Sequence, residues 1–195
     1  MKEQRFKAAS GMLFIVFALT IGSSSAEPPE PPFTVRDLLN GMHFKSERRE
    51  LMALGTSAYP EYLRILDDPM RTPVERARIL GVASSIESDR SGFHRHAVEA
   101  LDDDNSGVRY AGIALLQKIG STRDAARIIA RLSDTDKSNV YFAAKTLAII
   151  GGPKEVVAMD AWLSGPVYAN DKQLRAQVMK SRSELAERLA KMPKP

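Results

Sequence analysis

The most informative segment of this sequence is Val108-Arg-Tyr-Ala-Gly-Ile-Ala-Leu-Leu-Gln-Lys-Ile-Gly120. Its apolar residues recur at helical spacing, and Gly120 follows the last of them, where glycine can adopt the left-handed conformation that ends a helix. Similar amphipathic segments of 10–16 residues, separated by breaks of 2–6 residues, follow one another from Thr34 onward. No stretch alternates apolar and polar residues long enough to predict a strand. The sequence therefore predicts an all-α fold.

Capping signals mark where several of these helices begin. Thr72-Pro-Val-Glu75 supplies a capping side chain, then proline at the first helical position, then an acid. Asp136 precedes the segment at 140–150 in the same manner, and Thr34 precedes a short first helix at 35–39. We expect the Asp and Asn residues between helices to cap helix starts.

The predicted helices repeat at a nearly constant interval. A first helix closes at four positions separated by 32, 33 and 31 residues: Leu54-Gly55, Ile86-Glu87, Ile119-Gly120 and Ile150-Gly151. A second helix closes at four positions separated by 35, 31 and 31 residues: Leu66, Leu101, Leu132 and Leu163. One helix pair cannot bury its apolar face alone, whereas a stack of pairs shares a continuous core. We therefore predict an α-solenoid of about four helix pairs.

The segment at 108–120 resembles the first helix of a HEAT repeat, in the short bacterial form akin to the phycobilisome-lyase-type HEAT-like repeats. Residues 50–69 resemble the same repeat across both of its helices, and residues 140–163 give a looser match. The resemblance implies a fold and says almost nothing about function. Glu87 replaces the expected glycine, and the residues 89–92 lengthen the turn, so we expect a kink or a loop there.

Residues 1–26 have the composition of a signal peptide. The segment begins with basic residues, continues with an apolar run at 12–22, and ends with small residues up to Ala26, the expected cleavage site. Retention as a membrane anchor is the alternative, although a membrane span needs roughly 20 apolar residues. We expect a periplasmic or secreted protein that meets the membrane only during export, with the proline-rich residues 27–33 as a spacer.

Composition and charge exclude several classes of function. The chain has 195 residues and no cysteine, which excludes disulfides and thiol chemistry. Removal of residues 1–26 reduces the 28 basic residues to 25 and the 24 acidic residues to 23, a net charge of +2. Balanced charge is typical of a solvated helical surface, so we expect no nucleic-acid partner. Nucleic-acid binding, which some HEAT-like stacks perform, is kept as an alternative.

The repeat pattern lapses after Gly165-Pro166. Residues 171–190 form one long amphipathic segment with a stripe of four apolar residues: Leu174, Val178, Leu185 and Leu189. We assign residues 34–165 to the HEAT-like repeat domain and residues 166–195 to a C-terminal capping helix. A helix offered to a partner is the alternative interpretation.

No segment carries a pattern that is specific for catalysis, a cofactor or a metal. The cluster at 102–107 resembles a calcium loop at its third and sixth positions, but Ile113 stands where a bidentate glutamate is needed. His94 and His96 point away from each other on a helix, and His43 lies far from both in sequence. We therefore predict a binding protein rather than an enzyme, without cofactor or metal.

A face of the second helices is the predicted partner-binding surface. If Ile128 and Leu132 point inward, Arg127 and Arg131 point outward, and the repeat offset aligns His96 with Arg127 and Arg131 with Trp162. Arginine and tryptophan are enriched among the residues that dominate binding energy. The alternative is an ordinary solvated face with Trp162 packed against the C-terminal helix. The expected partner is a protein, and an enzyme or lyase-accessory role is the other alternative that the resemblance implies.

Overall fold

The computed structural model describes Val35, residues 44–87 and residues 89–193. Every regular element in these residues is helical, which confirms the all-α prediction. The α-helices are α1 (Phe44–Ala53), α2 (Tyr59–Asp67), α3 (Pro73–Ala83), α4 (His94–Ala100), α5 (Ser106–Ile119), α6 (Ala125–Ala130), α7 (Lys137–Ile150), α8 (Pro153–Ser164) and α9 (Lys172–Ala190). Short 3₁₀ segments lie at Gly55–Ala58, Ser91–Phe93 and Arg131–Ser133.

Several predicted features lie outside the described residues. These are the signal peptide at 1–26, the spacer at 27–33, His43 and, apart from Val35, the short first helix. Among the helices that are described, none is both long enough and apolar enough to cross a bilayer.

Local capping explains where the helices begin. The Thr72 side chain accepts a hydrogen bond from the Glu75 amide while the Glu75 side chain bonds the Thr72 amide, so α3 has the predicted cap with proline behind it. Asn105, Asp136 and Asp171 cap α5, α7 and α9 through their side-chain oxygens. These three residues between helices therefore cap helix starts, as predicted.

The helix ends differ from the prediction. Gly55 has the expected left-handed backbone, with φ of 57°, but Gly120 and Gly151 are extended. A Cβ at Gly120 would lie 2.5 Å from the Leu116 carbonyl oxygen, and a Cβ at Gly151 would lie equally close to that of Leu147. Close approach of the backbone, rather than a left-handed conformation, therefore explains these two glycines.

The unit with Glu87 also departs from its neighbours. Helix α3 ends at Ala83, three residues before Ile86, so the predicted closure at Ile86 is wrong. Residues 84–87 and 89–90 are not helical, and the 3₁₀ segment Ser91–Phe93 then leads into α4. The expected loop is therefore present between α3 and the 3₁₀ segment.

The helices pack in a regular order. The odd-numbered helices contact one another in sequence, from α1 to α3, α5, α7 and α9, and each even-numbered helix packs against the odd-numbered helix that follows it. The centre of each contact is fully buried, as at Leu80, Ile113, Leu116 and Leu147. Helix α9 covers α7 and α8 with Leu174, Val178 and Leu185, three residues of its predicted stripe.

Charged side chains tie two of the junctions between helices to the preceding odd-numbered helix. Arg109 on α5 holds Asp134, in the junction before α7, through two hydrogen bonds of 2.7 and 2.8 Å. Arg76 on α3 contacts Asp103, in the junction before α5, at 2.7 Å. The same aspartates accept the amide two residues on, at 2.9 Å in each case. Asp103 and Asp134 therefore each stabilise their own turn and also pair with an arginine of the preceding odd-numbered helix.

The Asp134–Arg109 pair is nearly buried, with side-chain exposures of 1% and 11%. Burial alone would raise the pKa of Asp134, but the hydrogen bonds from Arg109 and from the Asp136 amide outweigh it and hold that pKa below its ordinary value. The carboxylate therefore stabilises the fold only while it is charged.

We expect Arg109→Met to destabilise the protein by about 3 kcal/mol, or roughly 6–12 °C in Tm, because it leaves a buried carboxylate without its partner. Because the folded-state pKa of Asp134 is lowered, its contribution is complete above the unfolded pKa of about 3.9 and is lost as pH falls through the folded-state value. Urea unfolding at several pH values should therefore show the difference between wild type and variant shrinking in acid.

Arg64→Met is the matched control, because it breaks the exposed pair with Glu61. The interpretation of Asp134 fails if both variants lose the same stability, or if the loss in Arg109→Met does not depend on pH.

Candidate protein-binding surface

The two predicted arginines of α6 and its 3₁₀ extension meet at one acidic residue. Arg127 Nη1 lies 3.7 Å from Asp102 Oδ2, and Arg131 Nη2 lies 3.5 Å from Asp102 Oδ1. Arg127 is exposed, whereas Arg131 is half-buried and donates from Nη1 to the Leu101 carbonyl at 2.7 Å. Arg131 therefore has a structural role at the end of α4, and Arg127 is the more exposed of the two arginines.

Trp162 lies in the position that repeats Arg131. Its indole Nε1 donates to the Leu132 carbonyl at 2.6 Å, just as Arg131 donates to Leu101. The Arg175 guanidinium of α9 stands 5.6 Å from its ring centroid, and the side chain is buried. This contact with α9 agrees with the alternative interpretation of Trp162 as a packing residue.

His96 is also buried, with Nε2 3.5 Å from Asp67 Oδ1. Burial, followed by the positive charge of Arg95, lowers the pKa of His96. It lines a small cavity of about 170 Å³ in which Arg76 and Asp103 already bond each other. The partner-binding role of the four residues stays a prediction, but the structure does not bring them together as one exposed face.

A groove between α3 and α5 forms an apolar concavity of about 470 Å³. Small residues from both helices line it, at the helical spacings of four and three: Ala77, Gly81, Gly107, Ala111 and Ala114. Val74 and Tyr110 border it and are exposed by 55% and 37%. The other described residues of the lining are Arg48, Arg78, Ser84 and Asn105, and none of the described lining residues is a carboxylate.

An aromatic cluster continues this surface onto α7. The ring of Tyr110 meets Phe142 edge-on at 4.6 Å between centroids, and Phe142 meets Tyr141 in the same way at 5.3 Å. Lys145 stands above both α7 rings, 5.4 Å from Tyr141 and 5.9 Å from Phe142. The odd-numbered helices therefore present small apolar, aromatic and cationic groups side by side, a composition typical of binding surfaces.

The groove was not predicted from the sequence, because the predicted binding surface lay on the second helices. The small residues of α3 and α5 were visible in the sequence at helical spacing. Only the packing of two helices about 33 residues apart turns the two rows into the walls of one groove.

Among the described residues, the pKa shifts of the carboxyl groups run in one direction. A carboxyl that acts as a general acid at neutral pH needs a raised pKa. Among the described residues, the carboxyl groups with shifted pKa values are all lowered, as at Asp124, where hydrogen bonds from the Ser121 amide and His94 outweigh the effect of burial. The described residues also contain no group of three or more His, Asp or Glu side chains placed to hold a metal ion.

We expect Trp162→Ala to cost about 3 kcal/mol or more, because it opens a cavity against α9 and removes the donor to Leu132. Trp162→Phe should cost less, since it keeps most of the packing and loses only the hydrogen bond. Urea unfolding must be followed by far-UV circular dichroism, because Trp162 is the only tryptophan. Arg127→Ala, at an exposed position, is the control and should change stability little; equal losses in Arg127→Ala and Trp162→Ala would contradict the packing role.

No family model matches this chain, and no curated protein matches it either.

Proposed function

We propose that this chain is an exported α-solenoid of about four HEAT-like pairs, closed by the C-terminal helix α9, and that it binds or scaffolds a protein partner. The proposed location is the periplasm or the cell exterior, on the composition of residues 1–26. No cofactor or metal is part of the proposal.

The order of packing supports the repeat architecture. Each odd-numbered helix packs against the next odd-numbered helix along the chain. The hydrogen bonds that Arg131 and Trp162 donate to the carbonyls of Leu101 and Leu132 recur at a spacing of 31 residues. The aspartate turns at Asp103 and Asp134 recur in the same register. Such nearest-neighbour contacts are what a stack of repeats requires.

The groove between α3 and α5 is the observation that carries the binding proposal. Its apolar floor is open to solvent, and exposed Val74 and Tyr110 border it. Scattered apolar residues are normal on a protein surface, but a concave apolar area with an aromatic border and arginines is typical of a recognition site. The enzyme and nucleic-acid alternatives have no comparable feature among the described residues in their favour.

Site-specific photo-crosslinking in the native cells tests this function. A photoreactive phenylalanine analogue at Tyr110 would lie on the border of the groove, and the same analogue at Ala126 would lie on the exposed side of α6, near Arg127. We expect a discrete protein adduct from Tyr110 and none from Ala126, because a crosslinker reacts only with what lies against it.

The two positions separate the possible results. An adduct from Ala126 alone would support a protein partner on the second helices and contradict the groove. The absence of a protein adduct at both positions, with normal export and folding of both variants, would contradict the proposed function.

A further inference from the structure

We infer that the groove between α3 and α5 binds an acidic amphipathic helix, which inserts aliphatic side chains between the two helices. This inference rests on the proposed function and adds to it the chemical class of the partner.

The charge of the groove favours an acidic occupant. Arg48 belongs to its lining, and none of the lining residues that the structure describes is acidic. Arg48 is held by neutral oxygens, because its Nη2 donates to Ser85 Oγ and lies 3.5 Å from the Gly81 carbonyl, so its positive charge stays uncancelled by these contacts. The N-terminal end of α5, at Asn105 and Gly107, also lines the groove.

The shape of the groove favours a helix with aliphatic side chains. Ala77 and Gly81 on one wall, and Ala111 and Ala114 on the other, lack the bulk to fill the space between α3 and α5. From Val74 to Ser84 the wall runs about 15 Å, at 1.5 Å per residue, which matches two to three turns of a bound helix. The described residues offer no sheet edge to which a strand could add, and the length and apolar walls of the groove fit the helix-in-groove mode.

The aromatic cluster of Tyr110, Tyr141 and Phe142 is the surface that a bound helix would contact beyond the groove. Tyr110 forms the border of the groove and also contacts Phe142 on α7. Lys145 stands over the neighbouring rings and supplies a further positive charge on the same side. Acidic residues on the polar side of the partner would therefore meet cations at both borders of the groove, which favours association and suppresses basic partners.

Gly81 provides a way to block the groove without disturbing the fold. No heavy atom lies within 4 Å of a Cβ built at this position, so a larger side chain meets open space. Glycine inside a helix is unfavourable, and its replacement by leucine raises helix propensity. The Gly81→Leu variant should therefore fold normally, and its leucine side chain should occupy the space in the groove where we propose that the partner binds. Ala126→Leu adds similar bulk at an exposed position of α6 and is the matched control.

The test uses the purified full chain and two labelled helical probe peptides of equal length. Both peptides carry the same leucine stripe, one with glutamates and the other with lysines on the remaining positions, and binding is followed by fluorescence anisotropy. We expect binding of the glutamate peptide only. Gly81→Leu should weaken it by about tenfold or more, as expected for the loss of a buried anchor, while Ala126→Leu leaves it unchanged.

Charge is tested separately from shape. Arg48→Gln should weaken the affinity for the glutamate peptide by roughly threefold. Raising the salt concentration should weaken the binding of this peptide to wild type more than its binding to the variant. Thermal unfolding of each variant confirms that the fold is intact.

Equal binding of the two peptides, no binding of the glutamate peptide, or unchanged binding by Gly81→Leu would each overturn the inference. These results leave the crosslink at Tyr110 as an independent measurement. If Tyr110 gives a protein adduct, a protein binds the groove but is not an acidic helix. If neither Tyr110 nor Ala126 gives an adduct, the proposed function fails as well.

Discussion

The apolar flanks of the odd-numbered helices impose the main constraint on this structure. Helix α5 shows it most clearly, because α3 and α4 cover one part of its surface and α7 covers another. Its residues Ile113, Leu115 and Leu116 are completely buried. The main contacts of α5 are with α3, α4 and α7, which all lie near it along the chain. Stability therefore depends on local pairings along the chain, and a defect in one helix first affects the helices beside it.

Helix ends add a polar requirement to this apolar one. The last carbonyl groups of a helix have no partner within it and must find donors elsewhere. Arg131 and Trp162 supply donors to the ends of α4 and of the 3₁₀ segment after α6. Arg188 on α9 does the same for α7, by donating to the carbonyls of Ala148 and Gly151. A cation beside a helix C-terminus also stabilises the negative end of the helix dipole. The units are thus joined by side chains that reach back to the preceding helix end.

The sequence predicts the local features of this fold better than the contacts between units. Thr72 and Asp136 were recognisable as caps because a cap depends on three or four consecutive residues. The backbone conformation of Gly120 was predicted wrongly. It depends on the close approach of the Leu116 carbonyl, which cannot be inferred from the presence of glycine in the sequence. The register of Arg131 with Trp162 was visible from spacing alone. That Trp162 is buried beneath α9 depends on where the C-terminal helix packs, which no spacing within the repeat specifies.

The groove arises where one unit departs from the pattern of the next. Ala77 of α3 corresponds in register to Tyr110 of α5, and Gly81 corresponds to Ala114 of α5 and to Lys145 of α7. Between α5 and α7, the rings of Tyr110 and Phe142 fill the space, whereas between α3 and α5 the small side chains leave it open. The same backbone packing therefore produces a closed junction and an open one, according to side-chain size at equivalent positions. In the proposed repeat architecture the shared positions maintain the stack, and the positions that differ between units are where we propose that a specific partner binds.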